Sequence, residues 1–227
     1  MLVISQDGDN EEIASLVRGI RVPSRVIHLR HHRPWWSLPS LVVSNEYATS
    51  ANVKFLLTFA FEHLQAPAAV VLESDLVPSV DFVQYFAWAF HHFFLSPEPE
   101  HAGKALAVSS FNMHSRADAD PLKVWLGRFE VWGWGTVRER WPLIKAGWTP
   151  FQGWDGAFQR LRIREKLYVV VPALSRVRNI GMQGENFKVS DPGEIQRWRS
   201  VYIAETPVDL SLQPKVAGYI ESTQVYR

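Results

Sequence analysis

Pro67-Ala68-Ala69-Val70-Val71-Leu72-Glu73-Ser74-Asp75 is the stretch that says most about the fold. Its continuous apolar run with β-branched residues is typical of a central strand buried on both faces of a sheet. Glu73 and Asp75 follow at the carboxyl end of the run, and carboxylates held this close repel each other unless a cation joins them. Oxygen ligands of this kind suit Mg²⁺ or Mn²⁺. The stretch therefore predicts a buried strand ending in a metal site, and a simple turn cap by Asp75 before Pro78 is the alternative.

Segments of strand length alternate with segments of helical periodicity on both sides of this stretch. Strands are predicted at 2–5, 25–29, 68–72, 106–109, 124–131 and 166–171, and helices at 11–18, 50–64 and 81–94. This order predicts one α/β domain with a mixed, mostly parallel sheet flanked by helices, and ligands outside the carboxyl ends of the strands. Less regular segments are predicted as a turn or bulge at 132–135, a helix start cut short at Pro142, a loop at 154–156 and a mobile loop at 179–187.

Composition narrows the classes of protein that fit. The chain has 227 residues, 47% of them apolar, and a formal net charge of +1, which allows one sizeable core and gives no electrostatic argument for nucleic acid. The absence of cysteine removes disulfides and thiolate metal sites. No run reaches the roughly 18 apolar residues of a membrane span, and the N-terminus is too short and lacks the basic flank of a signal peptide. The sequence predicts a soluble chain and leaves its compartment open.

Two further carboxylates occupy positions suited to chemistry. Asp7 follows the first strand, where a carboxylate can accept hydrogen bonds from a base or ribose, although an Asx-turn with Gly8 is the alternative. Asp155 lies next to Trp154, and partial desolvation by the indole would raise its pKa and suit a general base. Two adjacent histidine pairs are weak metal candidates because adjacent side chains diverge, namely His31-His32 and His91-His92.

Taken in order, these segments resemble glycosyltransferase family 13, the inverting N-acetylglucosaminyltransferases. The resemblance is collinear over most of the chain. It covers residues 3–8, 67–75 with Asp81-Phe82 and Tyr85-Phe86, Val108-Ser109 with Asn112, Gly133-Trp134 with Trp141, Trp154-Asp155, Ser175-Arg176, and Gly181 with Gly184.

The resemblance implies a GT-A-like fold over residues 1–227, with a nucleotide-sugar half at 1–115 and an acceptor half at 116–227. It also implies a UDP-sugar donor, GlcNAc as the expected sugar, a glycan or glycoprotein acceptor, and Mn²⁺ or another divalent cation. The implied roles are metal binding by Asp75, deprotonation of the acceptor by Asp155, and donor contacts by Asp7, Asn52, Glu73, Ser74 and Asn186. Within this donor set, Asp7 matches the uracil contact, Glu73 faces the donor sugar, and Asn186 lies in a loop that closes over the donor.

Several positions depart from the family pattern. Ser74 replaces the middle aspartate of the acidic motif, Asn52 stands where the family has a histidine, and Gly156-Ala157 replaces an Asp-Trp pair beside the acceptor. The chain begins at what would be the family's second strand, which predicts an incomplete donor pocket. A non-catalytic nucleotide-sugar or glycan-binding relative is therefore a second hypothesis, and a metal-dependent phosphoryl-transfer enzyme is a third. Family members are Golgi lumenal proteins with an N-terminal anchor, and no anchor is recognisable in this sequence.

Overall fold

A computed structural model describes residues 1–32, 45–148, 153–181 and 199–220, together with Gly193 and Gln196, and gives no side chains for 45–47 and 220. The strands are β1 (Leu2–Asp7), β2 (Val26–His31), β3 (Ala68–Val71), β4 (Leu76–Pro78), β5 (Ala105–Ser109), β6 (Lys123–Gly127), β7 (Trp134–Val137), β8 (Tyr168–Pro172), β9 (Val177–Asn179) and β10 (Lys215–Ile220). The α-helices are α1 (Glu11–Gly19), α2 (Asn45–Thr58), α3 (Phe82–Phe90), α4 (Trp141–Gly147) and α5 (Trp154–Arg164). Single π-helical turns extend α2 over Phe59–His63 and α3 over His91–Leu95.

The main sheet has six strands in the order β10-β6-β8-β5-β7-β3. β10 pairs parallel to β6 and β5 parallel to β8, whereas the other neighbours pair antiparallel. Two smaller pairs complete the described strands: β1 with β2, parallel, and β4 with β9, antiparallel. The mixed α/β class predicted from the sequence is confirmed.

The directions of the strands define two opposite edges of the main sheet. β3, β5 and β8 run in the same direction. The upper edge is our name for the side of the sheet at which these three strands end, and the lower edge is the side at which they begin. Glu73-Ser74-Asp75 follows β3 and therefore lies at the upper edge. Lys104 and Leu167 precede β5 and β8 at the lower edge.

Helices cover both faces of the sheet because each carries an apolar stripe. On one face, α3 buries Tyr85, Phe86 and Ala89 against strand residues such as Val108 and Val170. On the other face, α2, α4 and α5 bury their apolar side chains against Val71 and Trp134. None of the helices within the described ranges is long and apolar enough to cross a membrane.

The prediction that the run 68–72 forms a central strand buried on both faces is wrong. β3 is the last strand of the main sheet as described, and Val70 and Leu72 are 38% and 42% exposed. An uninterrupted Ala/Val run shows that a strand is apolar, but it carries no information about which neighbours pair with it. The position after the strand, where the acidic residues lie, is as predicted.

Two predictions about turns are also wrong. Trp134 and Gly135 belong to β7 rather than to a turn, and only Gly133 has the left-handed backbone, with φ 65°. Pro142 lies in the first turn of α4 and does not end a helix. Proline is tolerated there because the first backbone N–H groups of a helix have no intrahelical acceptor.

Candidate functional site

The acidic motif occupies the tight connection between β3 and β4. Glu73 and Asp75 lie on either side of Ser74 in a turn in which the Leu76 amide donates to the Glu73 carbonyl at 3.2 Å. Glu73 and Asp75 are half-buried, whereas Ser74 is exposed. The turn fixes both carboxylates at the upper edge of the sheet, where the sequence placed them.

The pairing of β4 with β9 brings a distant part of the chain to Asp75. The Ile180 amide donates to the Asp75 carbonyl at 2.9 Å, and the Gly181 amide donates to Asn179 Oδ1 at 2.7 Å. A Cβ atom added at Gly181 would overlap Asp75 Oδ2, so the carboxylate packs directly over the glycine backbone. Any side chain at this position would force the Asp75 carboxylate or the backbone to move. Asn186, the expected donor contact, lies outside the described residues.

A buried ion pair holds β9 in this position. Arg176 Nε donates to Asp81 Oδ2 at 2.9 Å, and both side chains are almost fully buried. Ser79 Oγ donates to the other carboxylate oxygen at 2.6 Å, and the Arg176 guanidinium lies 4.9 Å from the centre of the Tyr85 ring. The contact between Asp81 and Arg176 was not predicted, because 95 positions separate the two residues and nothing local in the sequence marks them as a pair.

Asp155 begins a helix instead of lying in a loop, so the predicted loop at 154–156 is wrong. It occupies the first turn of α5, and its Oδ1 accepts from the Gly156 amide at 2.7 Å. A Cβ at Gly153 would lie 2.6 Å from that same oxygen, so glycine leaves the carboxylate its room. The positive end of the helix dipole favours a negative charge at this place.

The indole of Trp154 does not cover Asp155. Trp154 is buried and stacks at 5.4 Å on Trp134 and at 6.3 Å on Trp148, whereas Asp155 is exposed. The expected desolvation of Asp155 by its neighbour is therefore wrong. Trp154 instead anchors the first turn of α5 in the core, which fixes where the exposed carboxylate stands.

The electrostatics of Glu73 link the three carboxylates. Burial, as the largest cause, and the negative charges of Asp75 and Asp155 together raise the pKa of Glu73 to about 7. Because the charge of Asp155 affects the pKa of Glu73, Asp155 lies near Glu73 at the upper edge. Asp75 and Asp155, which the sequence nominated from separate motifs, thus both lie near Glu73.

Asp7 is the last residue of β1, and Asn52 in α2 contacts the same strand. Asp7 Oδ1 lies 3.1 Å from His31 Nδ1, and Ser5 Oγ donates to Asn52 Oδ1 at 2.5 Å. The Gly8 amide donates to the His31 carbonyl at 2.9 Å. Helix α2 connects this region to the acidic motif, because Val53, next to Asn52, belongs to the same apolar cluster as the end of β3.

The carboxylates suit a cation that is shared with a ligand. The described residues hold no group of three or more His, Asp or Glu side chains able to enclose a metal ion by themselves. Mg²⁺ and Mn²⁺ sites commonly use one or two carboxylates and complete the shell with water and substrate phosphates. None of the ion pairs found among described residues involves Glu73 or Asp75, so a cation at Asp75 would meet an uncompensated charge.

A mixed sheet with flanking helices and a group of carboxylates beyond the end of one strand is the architecture of a GT-A-like glycosyltransferase. The family model of the GNT-I family matches residues 1–189, which is most of the chain. The protein therefore belongs to the GNT-I family. Membership implies a glycosyltransferase, of the N-acetylglucosaminyltransferase type, with a nucleotide-sugar donor and a glycan acceptor.

Proposed function

We propose that the protein is an inverting, metal-dependent glycosyltransferase that moves GlcNAc from a UDP-sugar to a hydroxyl group of a glycan or another acceptor. The observation that supports the proposal is the placement of Glu73 and Asp75 in one turn at the upper edge. Asp155 lies near enough to add its charge to burial, the main cause of the raised pKa of Glu73. A divalent cation bound through Asp75 would neutralise charge on the donor diphosphate and on the departing UDP.

Asp155 is assigned the general base. It is exposed in the first turn of α5, so an acceptor hydroxyl can reach it from solvent. In a single displacement, the carboxylate accepts the hydroxyl proton while the acceptor oxygen forms a bond to the anomeric carbon. The bond from that carbon to the UDP oxygen breaks, and the configuration inverts.

The remaining assigned residues bind the donor. Glu73 faces the sugar, and its neutral form can donate a hydrogen bond that the ionised form cannot. Ser74 is assigned to the ribose, and Asp7 to the uracil ring. Asn186 is assigned to a loop closing over the donor, which would exclude water from the reacting centre.

A non-catalytic relative that binds nucleotide sugars or glycans is the second candidate. One contact favours it, since Asn52 stands where the family has a histidine and its amide oxygen is engaged by Ser5 at 2.5 Å. The amide nitrogen of Asn52 keeps its donor capacity. The three carboxylates favour the enzyme, because general-base catalysis needs Asp155 and pure binding does not.

The test is a transfer assay with Mn²⁺, three donors (UDP-GlcNAc, UDP-Glc and UDP-Gal) and a panel of simple sugar acceptors. We expect acceptor-dependent release of UDP, most rapid with UDP-GlcNAc, and a product whose NMR coupling constants show the anomeric configuration opposite to that of the donor. Retained configuration would contradict the single displacement. Release of UMP or inorganic phosphate would support phosphoryl transfer, and binding of donor without transfer to any acceptor would support the non-catalytic relative.

A further inference from the structure

A second cluster of charge lies at the lower edge of the main sheet, at the opposite end of the strands from Glu73. A cavity of about 450 Å³ opens there between the starts of β5 and β8, the last turn of α5, and β10. Three cationic side chains line it: Lys104, Arg162 and Lys166. The proposed transferase chemistry uses none of them.

Arg162 is the unusual member of this cluster. It is 2% exposed, and its Nε donates to Gln159 Oε1 at 3.1 Å while its Nη1 donates to the Tyr219 hydroxyl. Both acceptors are neutral oxygens. Within the described part of the chain, no carboxylate forms an ion pair with Arg162.

Arg176, a second buried arginine, has the carboxylate partner that a buried guanidinium ordinarily needs. Arg176 is equally buried, and it is matched by the Asp81 carboxylate at 2.9 Å. Burying a guanidinium away from water is costly unless a counter-charge accompanies it. The carboxyl end of α5 offers Arg162 only the fractional negative charge of a helix terminus, which does not replace a full anion.

The two lysines add to the excess of positive charge. Neither Lys104 nor Lys166 pairs with a carboxylate among the described residues. Glu100 is the acidic residue in the described lining, and its carboxylate lies 3.5 Å from His101 Nε2. The cavity therefore presents a net positive surface around one deeply buried guanidinium.

The remaining walls are apolar and aromatic. Tyr168 and Tyr219 supply rings, and Leu126 and Ile163 supply aliphatic surface. The volume falls within the range of about 300–1,000 Å³ that is usual for small-molecule sites. A ligand that fits these walls has a flat or apolar body and an anionic group.

The geometry points to a binding site for a phosphate monoester in this lower-edge cavity, separate from the donor site. Arg162 and the two lysines would bind the phosphate oxygens, because a planar guanidinium and lysine ammonium groups are the side chains best suited to them. The tyrosine rings and aliphatic side chains would contact the organic part of the ligand.

The test is calorimetric titration of the full chain with phenyl phosphate, in the absence of Mn²⁺ and UDP-sugar. We expect saturable binding with a Kd of about 1 mM or below that weakens as salt is added, since the partly exposed lysine charges are screened. Lys104→Gln combined with Lys166→Gln should weaken binding by about 10-fold. These surface substitutions are preferred to replacement of Arg162, whose loss would also change the core.

Two controls separate this site from the donor site and from general charge. Lys145→Gln removes one exposed positive charge on α4, away from the cavity, and should leave the affinity unchanged. Asp75→Asn should likewise bind phenyl phosphate as the natural chain does, because the donor site takes no part. Absence of saturable binding, an equal loss in Lys145→Gln, or full affinity in the double lysine variant would overturn the proposal.

Discussion

Helix α5 joins two regions that differ in the sign of their charge. Its first turn carries Asp155 at the upper edge, near Glu73, and its last turn carries Arg162 at the lower edge beside two lysines. Seven residues, or about 10 Å along the axis, separate Asp155 from Arg162. At each end of the helix, side chains of like charge lie close together. Among the described residues, too few side chains of opposite charge lie there to neutralise them.

The contrast with the Arg176–Asp81 pair shows what this imbalance means. That pair is fully buried, mutually compensated and supported by Ser79, so it holds β9 in place and has no need of a ligand. At the upper edge, burial first and then the negative charges of Asp75 and Asp155 raise the pKa of Glu73. Charged side chains that lack a counter-charge within the protein indicate a site for a ligand of opposite charge.

The largest expected effect concerns the assigned base. Asp155→Asn keeps the shape of the side chain and removes its ability to accept a proton, so transfer should slow by about 10²–10⁴-fold while UDP binding stays unchanged. The measurement is UDP release at saturating donor, with binding followed by calorimetry. Glu165→Gln, exposed just past the other end of the same helix, is the matched control and should keep full activity. A wild-type rate for Asp155→Asn would remove Asp155 from the mechanism.

A smaller effect is expected from filling the space over Asp75. Gly181→Ala places a methyl group against Asp75 Oδ2, so the carboxylate or the backbone must move. We expect a loss of about 1–3 kcal/mol in the free energy of unfolding and about 10-fold weaker Mn²⁺-dependent UDP binding. Gly19→Ala is the control, since nothing lies within 4 Å of the added atom there. If both variants behave as the natural chain does, Gly181 does not shape the acidic site.

The smallest expected effect is on stability alone and comes from the raised pKa of Glu73. The folded-state pKa of Glu73, about 7, is raised above the ordinary value of 4.5, so folding favours the neutral form. The stabilisation is fully present below pH 4.5 and is lost as the pH rises through 7. At about pH 8, Glu73→Gln should therefore be more stable than the natural chain by roughly 1–3 kcal/mol, with little difference at about pH 4.

Urea denaturation at the two pH values measures this difference. Glu205→Gln is the control, because Glu205 is exposed and its replacement should change the unfolding free energy by less than about 0.5 kcal/mol at either pH. Equal stability of Glu73→Gln and the natural chain at the higher pH would mean that neither burial nor the neighbouring carboxylates raise the pKa of Glu73.

The sequence predicted the elements around the site better than the way in which they assemble. Periodicity located α1, α2 and α3 and most strands, because amphipathic spacing depends on local burial. Two features were not predicted: the place of β3 as the last strand of the main sheet, and the pairing of β4 with β9. Strand pairing is decided by contacts between residues far apart in sequence.

The candidate site shows the same division. The residue types and order of Glu73, Asp75 and Asp155 were sufficient to nominate them individually, and the resemblance placed them in one site. The buried Arg176–Asp81 pair and the Arg162 cavity had no local signal, because an arginine destined for the interior has the same sequence neighbours as one on the surface. The prediction that the Trp154 indole covers Asp155 was wrong for a related reason. The two residues are adjacent along the chain, but the indole packs into the core.

The most direct test of the account is calorimetric titration of UDP-GlcNAc with and without Mn²⁺, on the natural chain and on Asp75→Asn. The account predicts binding that depends on Mn²⁺ in the natural chain and is weaker by at least about 100-fold in the variant, because the cation joins the Asp75 carboxylate to the donor diphosphate. Binding of equal strength with and without the metal, or unchanged Mn²⁺ dependence in Asp75→Asn, would contradict the assignment of the upper edge as a metal-dependent donor site.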